Sequence, residues 1–201
     1  MWQGVTEAPR NAVRTRNLKW EVPIGVATGV LIASGDTPGS RAIQSLPLQQ
    51  HAGQLSNVGL GLELGGAGAA YLLGCAKHND GIRATGQQAL EAAGAALVFD
   101  EALKRAFNRQ RPTASNSAGE FWEGGSSFAS GHATASFAIA SVVAHRYSHK
   151  PWLKWGAYAV AAGVSLARYP AKEHFFSDIL IGGTLGYITG TYLASSPPGV
   201  R

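Results

Sequence analysis

Cysteine, methionine and acidic residues are scarce in this chain. One cysteine, Cys75, among 201 residues cannot close an intrachain disulfide or complete a thiolate metal site, so a disulfide scaffold and a zinc finger are excluded. Aspartate occurs four times, and neither His-Glu-x-x-His nor a paired-Asp motif is present, so no metal site is expected. Charged residues make up only 14% of the chain, which excludes a disordered polyelectrolyte, and the 26 glycines follow no three-residue period, which excludes collagen. Long apolar runs are also missing. A membrane span needs about 20 mostly apolar residues, and the nearest approach, residues 58–76, contains Glu63. Shorter runs at 22–33, 133–144, 155–167 and 179–194 read as core helices, and with a mean hydropathy of −0.01 the chain reads as soluble or peripheral to a membrane. Residues 1–19 lack the apolar stretch of a signal peptide, although a trimmed chain would read the same way.

What the chain has is apolar segments of helical length. Apolar residues make up 45% of it, and Pro, Gly, Ser and Asp interrupt it at 34–40, 77–86, 112–127, 148–151 and 195–201. None of the intervening segments alternates as a half-buried strand would. The expectation is an all-α fold, a compact bundle of about six helices forming a single domain over 1–201, with small residues at the helix contacts. Seventeen Lys and Arg against twelve Asp and Glu give a net charge of +5 and point to an acidic partner. The cations are dispersed over 10–19, 104–111 and 168–172, which excludes a nucleic-acid face. Residues 1–19, with four cations and one Glu, read as a solvated arm, contact with an anionic membrane surface being the alternative.

Three constellations carry chemistry. In the first, Lys104 and Arg111 stand seven residues apart, two turns on one face of a helix through residues 89–107, and can converge on one anion while Arg105 and Arg109 point elsewhere. Pro112 ends that helix, since the residue before proline is pushed out of the α region. Taken alone, the segment reads as a solvated basic helix end. In the second, Ser130-Gly131-His132 follows a glycine-bearing loop and opens an apolar helix, whose free backbone N–H groups and dipole favour an anion. Alone, this could equally be an ordinary Ser cap. In the third, Arg168 precedes His174, which stands four residues before Asp178. On a helix that carboxylate would hold one ring nitrogen and leave the other as a base or nucleophile. His51, His78, His145 and His149 have no such partner, and Phe121 and Trp122 read as packing.

Lys-x6-Arg-Pro, then Ser-Gly-His, then Arg-x5-His-x3-Asp resembles the type 2 phosphatidic acid phosphatase superfamily, which also includes bacterial acid phosphatases and vanadium haloperoxidases. The motif-bearing core spans about residues 90–192. Ala129 departs from the pattern, since the family usually has Pro before Ser-Gly-His.

The resemblance implies a metal-independent, cofactor-free phosphatase acting on phosphate monoesters of lipids or small molecules, with the site at the ends of the C-terminal helices. His174 would attack phosphorus and form a phosphohistidine, Asp178 would fix its tautomer, and His132 would protonate the leaving oxygen and later activate water. Lys104, Arg111, Ser130, Gly131 and Arg168 would hold the phosphate oxygens, and vanadate would inhibit. Two alternatives are a vanadate-dependent haloperoxidase and a non-catalytic phosphate or lipid-phosphate binder. The implied location is periplasmic or membrane-associated, with an integral inner-membrane protein as the alternative.

Overall fold

A computed structural model describes residues 18–36, 45–114 and 119–195, so most of the N-terminal arm and the tail after Ser195 lie outside the described residues. Among the described residues there are six α-helices, as the sequence led one to expect: α1 (Leu18–Val30, continued by a π-turn Leu31–Gly35), α2 (Leu46–Ala76), α3 (Asp80–Phe107), α4 (Gly131–Arg146), α5 (Pro151–Leu166) and α6 (Phe176–Ser195). No strand occurs among the described residues. Local chemistry sets several of the boundaries. Ser45 Oγ accepts from Leu48 N at the start of α2, and Asn79 Oδ1 accepts from Ile82 N at 3.0 Å to start α3.

Small residues decide how closely the helices approach. Gly182, Gly186 and Gly190 form a stripe on α6, where a Cβ would fall 2.5 Å from Ser130 O, 2.1 Å from Thr134 O and 2.3 Å from Ala138 O. The α6 backbone therefore rests directly on that of α4. Because the contacts advance by four residues in both helices, the two run parallel and begin at the same end of the bundle. Their N-terminal loops, 119–130 and 167–175, meet there, together with the C-terminal end of α3. The core below is built from Ala89, Ala92, Ala93 and Ala96 of α3, Ala135, Ala138, Ile139 and Val142 of α4, and Leu193 and Ala194 of α6.

The expectation that no apolar run is long enough to span a membrane fails at α2. Its 31 residues include an 18-residue window with a hydropathy of 1.3, of which only 11% is buried. Leu46, Leu55, Val58, Leu62, Leu72 and Leu73 face outward, as do Val22, Val26 and Val30 of α1 and Trp152 and Trp155 of α5. By length and composition α2 can cross a membrane. The sequence count missed it because it began at residue 58 and took Glu63 as a break, whereas the helix starts a further three turns upstream and its Glu63 carboxylate accepts from Ser136 Oγ.

Candidate active site

The first constellation does not sit on one helix. Asn108 adopts the left-handed conformation (φ 42°, ψ 42°) and caps α3 right after Phe107, so the helix stops four residues before Pro112 and Arg111 lies in the loop. Lys104, in the last turn, remains on α3 and pairs with Asp100 at 2.6 Å. Arg109, read from the sequence as pointing away, turns inward and is 1% exposed. Its Nη1 donates to Asp178 Oδ1 and to Ser177 Oγ, each at 2.7 Å, its Nη2 to Asp36 Oδ2 at 3.0 Å and its Nε to Gly119 O at 3.0 Å. The rings of Phe121 and Phe175 lie 4.8 and 4.2 Å from its guanidinium carbon. A guanidinium buried this deeply is tolerable because every face has a partner.

Ser130 precedes α4 but does not act as an ordinary cap. Its hydroxyl makes no cap bond, and Oγ is buried without a hydrogen-bond partner among the described residues. Ala129 beside it is fully buried, and the Phe128–Ala129 peptide is cis. At Gly131 a Cβ would stand 3.1 Å from Asp100 Oδ2 and 3.2 Å from Lys104 Nζ, so the missing side chain lets the ammonium lie beside the first α4 turn, where its donors and the free N–H groups of that turn can face one anion. His132 Nε2 lies 2.9 Å from Asn57 Oδ1, and Arg168 Nη1 donates to that same oxygen at 3.1 Å. Arginine can only donate, so this atom is the amide oxygen and the His132 proton sits on Nε2. Burial, then the electrostatic influence of Arg168, His174, Lys104 and Arg111, pushes the His132 imidazole down to about 4. Those four neighbours are site residues from the first and third constellations, and His132 itself belongs to the second. Burial also draws the Arg168 guanidinium below the usual arginine range, against the opposing pull of the Glu173 carboxylate. Its Nε is buried and unpartnered among the described residues, and its Nη2 lies 3.5 Å from Glu173.

His174 is not on a helix, since α6 begins at Phe176. Its Nδ1 lies 2.8 Å from the backbone carbonyl of Ser127, whereas Asp178 Oδ2 is 3.8 Å away, beyond hydrogen-bonding range. A carbonyl only accepts, so Nδ1 carries the proton and the lone pair of the neutral ring is on Nε2. The work expected of Asp178 is thus done by a peptide oxygen. Asp178 instead accepts from Ser127 Oγ at 2.6 Å, Phe175 N at 2.9 Å and Arg109 at 2.7 Å, and its own carbonyl accepts from Ser130 N at 3.1 Å. It ties the loops that carry Arg109, Ser127, Ser130 and His174 into one unit.

The site therefore gathers Lys104, Arg111, Ser130, Gly131, His132, Arg168 and His174 at one end of the bundle, with Asp178 beneath them. Among the described residues no group of three or more His, Cys, Asp or Glu stands ready to hold a metal ion. The family model of the PAP2 superfamily matches residues 87–199, more than half of the chain. The chain belongs to the PAP2 superfamily. A lipid A 1-phosphatase from Porphyromonas gingivalis is 33% identical over 105 residues, which make up 50% of this chain and 21% of that protein. The match thus spans about a fifth of that relative's length. A transmembrane PAP2-type phosphatidylglycerolphosphate phosphatase from Bacillus subtilis shares the fold, with a TM-score of 0.62 at 21% identity over 86% of this chain and 92% of that one.

Sequence reasoning missed Asp36, Asn57, Asp100, Arg109, Ser127 and Glu173. Asp100 was within reach, since it stands one turn before Lys104 at the spacing of a helical ion pair. Asn57 lies outside the region that the PAP2 model matches, and only its contact with His132 and Arg168 reveals it.

Proposed function

We propose that the protein is a metal-independent phosphatase that hydrolyses lipid phosphates through a phosphohistidine. The observation that carries this is a pair of buried donors without partners, Ser130 Oγ and Arg168 Nε, beside the free first turn of α4. Buried donors left unpaired cost free energy, and an oxyanion offering several acceptors relieves both. His174 Nε2, its lone pair exposed by the Ser127 bond, attacks phosphorus in line, and the bond to the leaving oxygen breaks. As imidazolium charge develops, the Ser127 carbonyl takes a shorter hydrogen bond from Nδ1–H and the Asp178 carboxylate supplies a favourable field at 3.8 Å. His132 hands a proton to the leaving oxygen, then takes one from the water that cleaves the N–P bond and releases phosphate.

Two features support a lipid substrate. Asn57, about three turns into α2, joins the catalytic end to the helix with the exposed apolar surface, so the site lies beside that surface. Past that point an apolar cleft of about 230 Å³, lined by Leu62, Gly66, Ala70, Ala89, Ile139 and Val143, with Glu63 tied to Ser136, runs along α2 and α4. We read α2 as a membrane span and the protein as membrane-associated, in line with the transmembrane phosphatase from Bacillus subtilis that shares the fold. The test uses detergent-purified protein on phosphatidic acid, a phosphorylated glycolipid and p-nitrophenyl phosphate. Acid-labile label should appear on wild type and be absent from His174→Ala. Label retained in that variant, or no turnover of any lipid phosphate, overturns the reading.

A further inference from the structure

Each cation of the site has a carboxylate partner. Lys104 pairs with Asp100, Arg109 with Asp36 and Asp178, and both Arg111 and Arg168 with Glu173. Four positive and four negative charges leave the resting cradle without an excess to offer a phosphate. Three of the carboxylates are fixed. Asp36, Asp100 and Asp178 have side chains 0%, 2% and 0% exposed, and each accepts further hydrogen bonds: Asp36 from Ser177, Asp100 from Thr134, Asp178 from Ser127 and Phe175 N. Glu173 differs in both respects. Its side chain is 33% exposed, and among the described residues its carboxylate has only the two guanidiniums as partners.

We infer that Glu173 is a displaceable internal anion, its Oε2 holding Arg111 and Arg168 at rest in the place of a substrate oxygen and swinging to solvent when a phosphate enters. The inference rests on the phosphate-cradle reading above. A single carboxylate oxygen, Glu173 Oε2, faces both guanidiniums, as one oxygen of a phosphate would. Its departure gives the cradle the net positive charge that a phosphate dianion requires, and its return competes with the product. Glu173 thereby weakens the binding of free phosphate and speeds its release, so it is a specificity-determining residue set against product inhibition. Because the pair is partly exposed, the competition is moderate, on the order of a tenfold effect on affinity.

The test compares inhibition by inorganic phosphate and by orthovanadate in wild type, Glu173→Gln, Glu173→Ala and Glu173→Asp, all as detergent-purified full chains. Removing the charge should tighten phosphate binding about tenfold in both the Gln and Ala variants, with KM falling and kcat falling or holding. Glu173→Asp, which keeps the carboxylate, should stay near wild type. A gain of affinity is an outcome that loss of structural support would not produce, and the two neutral variants guard against one of them folding poorly. Phosphate bound equally or more weakly by both neutral variants overturns the inference while leaving the cradle intact, provided wild type binds phosphate and Arg168→Ala does not. If wild type itself binds neither phosphate nor vanadate, the cradle reading fails and takes this inference with it.

Discussion

Replacing Asp178 by Asn separates two accounts of that carboxylate. If Asp178 acts as a clamp, the substitution removes charge from a fully buried group that accepts from Arg109 at 2.7 Å, Ser127 Oγ at 2.6 Å and Phe175 N at 2.9 Å. Removing one partner of a buried ion pair costs about 3–5 kcal/mol. Arg109 keeps Asp36 at 3.0 Å, and the amide oxygen of Asn can still accept one bond, so the lower end, about 3 kcal/mol, applies. For a chain of 201 residues that lowers Tm by roughly 6–12 °C. The His174 tautomer should survive, because Nδ1–H stays on the Ser127 carbonyl at 2.8 Å. Phosphoenzyme should then still form on His174, about 10–100-fold more slowly because the loops are less well held. The assays are thermal unfolding in detergent and rapid-quench labelling with aryl phosphate. An Asp178→Asn protein with an unchanged Tm and no phosphoenzyme would refute the clamp and return Asp178 to direct work on the imidazole.

Activity should survive a strong chelator and be blocked by orthovanadate, because the charge-neutralising donors are Lys104, Arg111 and Arg168; metal-restored turnover after chelation would overturn this. Phosphate binding at pH 7.5 should take up a proton, since His132, held down to about 4 in the empty site, gains a favourable anionic neighbour. Calorimetry in buffers of different ionisation enthalpy should show this uptake in wild type and its loss in His132→Gln. Gly186→Ala should destabilise by about 3 kcal/mol or more, because its Cβ meets Thr134 O at 2.1 Å, whereas Gly94→Ala, with nothing within 4 Å, should stabilise by about 0.5–1 kcal/mol. Equal effects in thermal unfolding would show that α4 and α6 are not in backbone contact.

The helices were legible because the interruptions in the apolar pattern are real boundaries. Their outer faces were not, for a physical reason: the rule that apolar residues are buried presumes water outside, and α2 exposes Leu55, Leu62 and Leu72 along an apolar surface. Local spacing misled in two places. Asn108 entered the left-handed region and ended α3 before Pro112 could, and the Asp178 carboxylate accepts Phe175 N at the start of α6, so the i,i+4 pair with His174 was never helical. The residues expected to touch phosphate nevertheless lie together at one end of the bundle, and they are the types an oxyanion calls for: fixed cations, a hydroxyl and a helix N-terminus. Their supporting partners answer to a weaker demand. Lys104 needs an acid and His132 needs an acceptor, but many side chains supply either, and only the fold selects Asp100 and Asn57. This is why Asn57, which couples an apolar helix outside the PAP2 match to both His132 and Arg168, left no motif. The half that the PAP2 model matches carries the residues proposed to bind phosphate, while Asn57 of α2 helps to hold two of them in place.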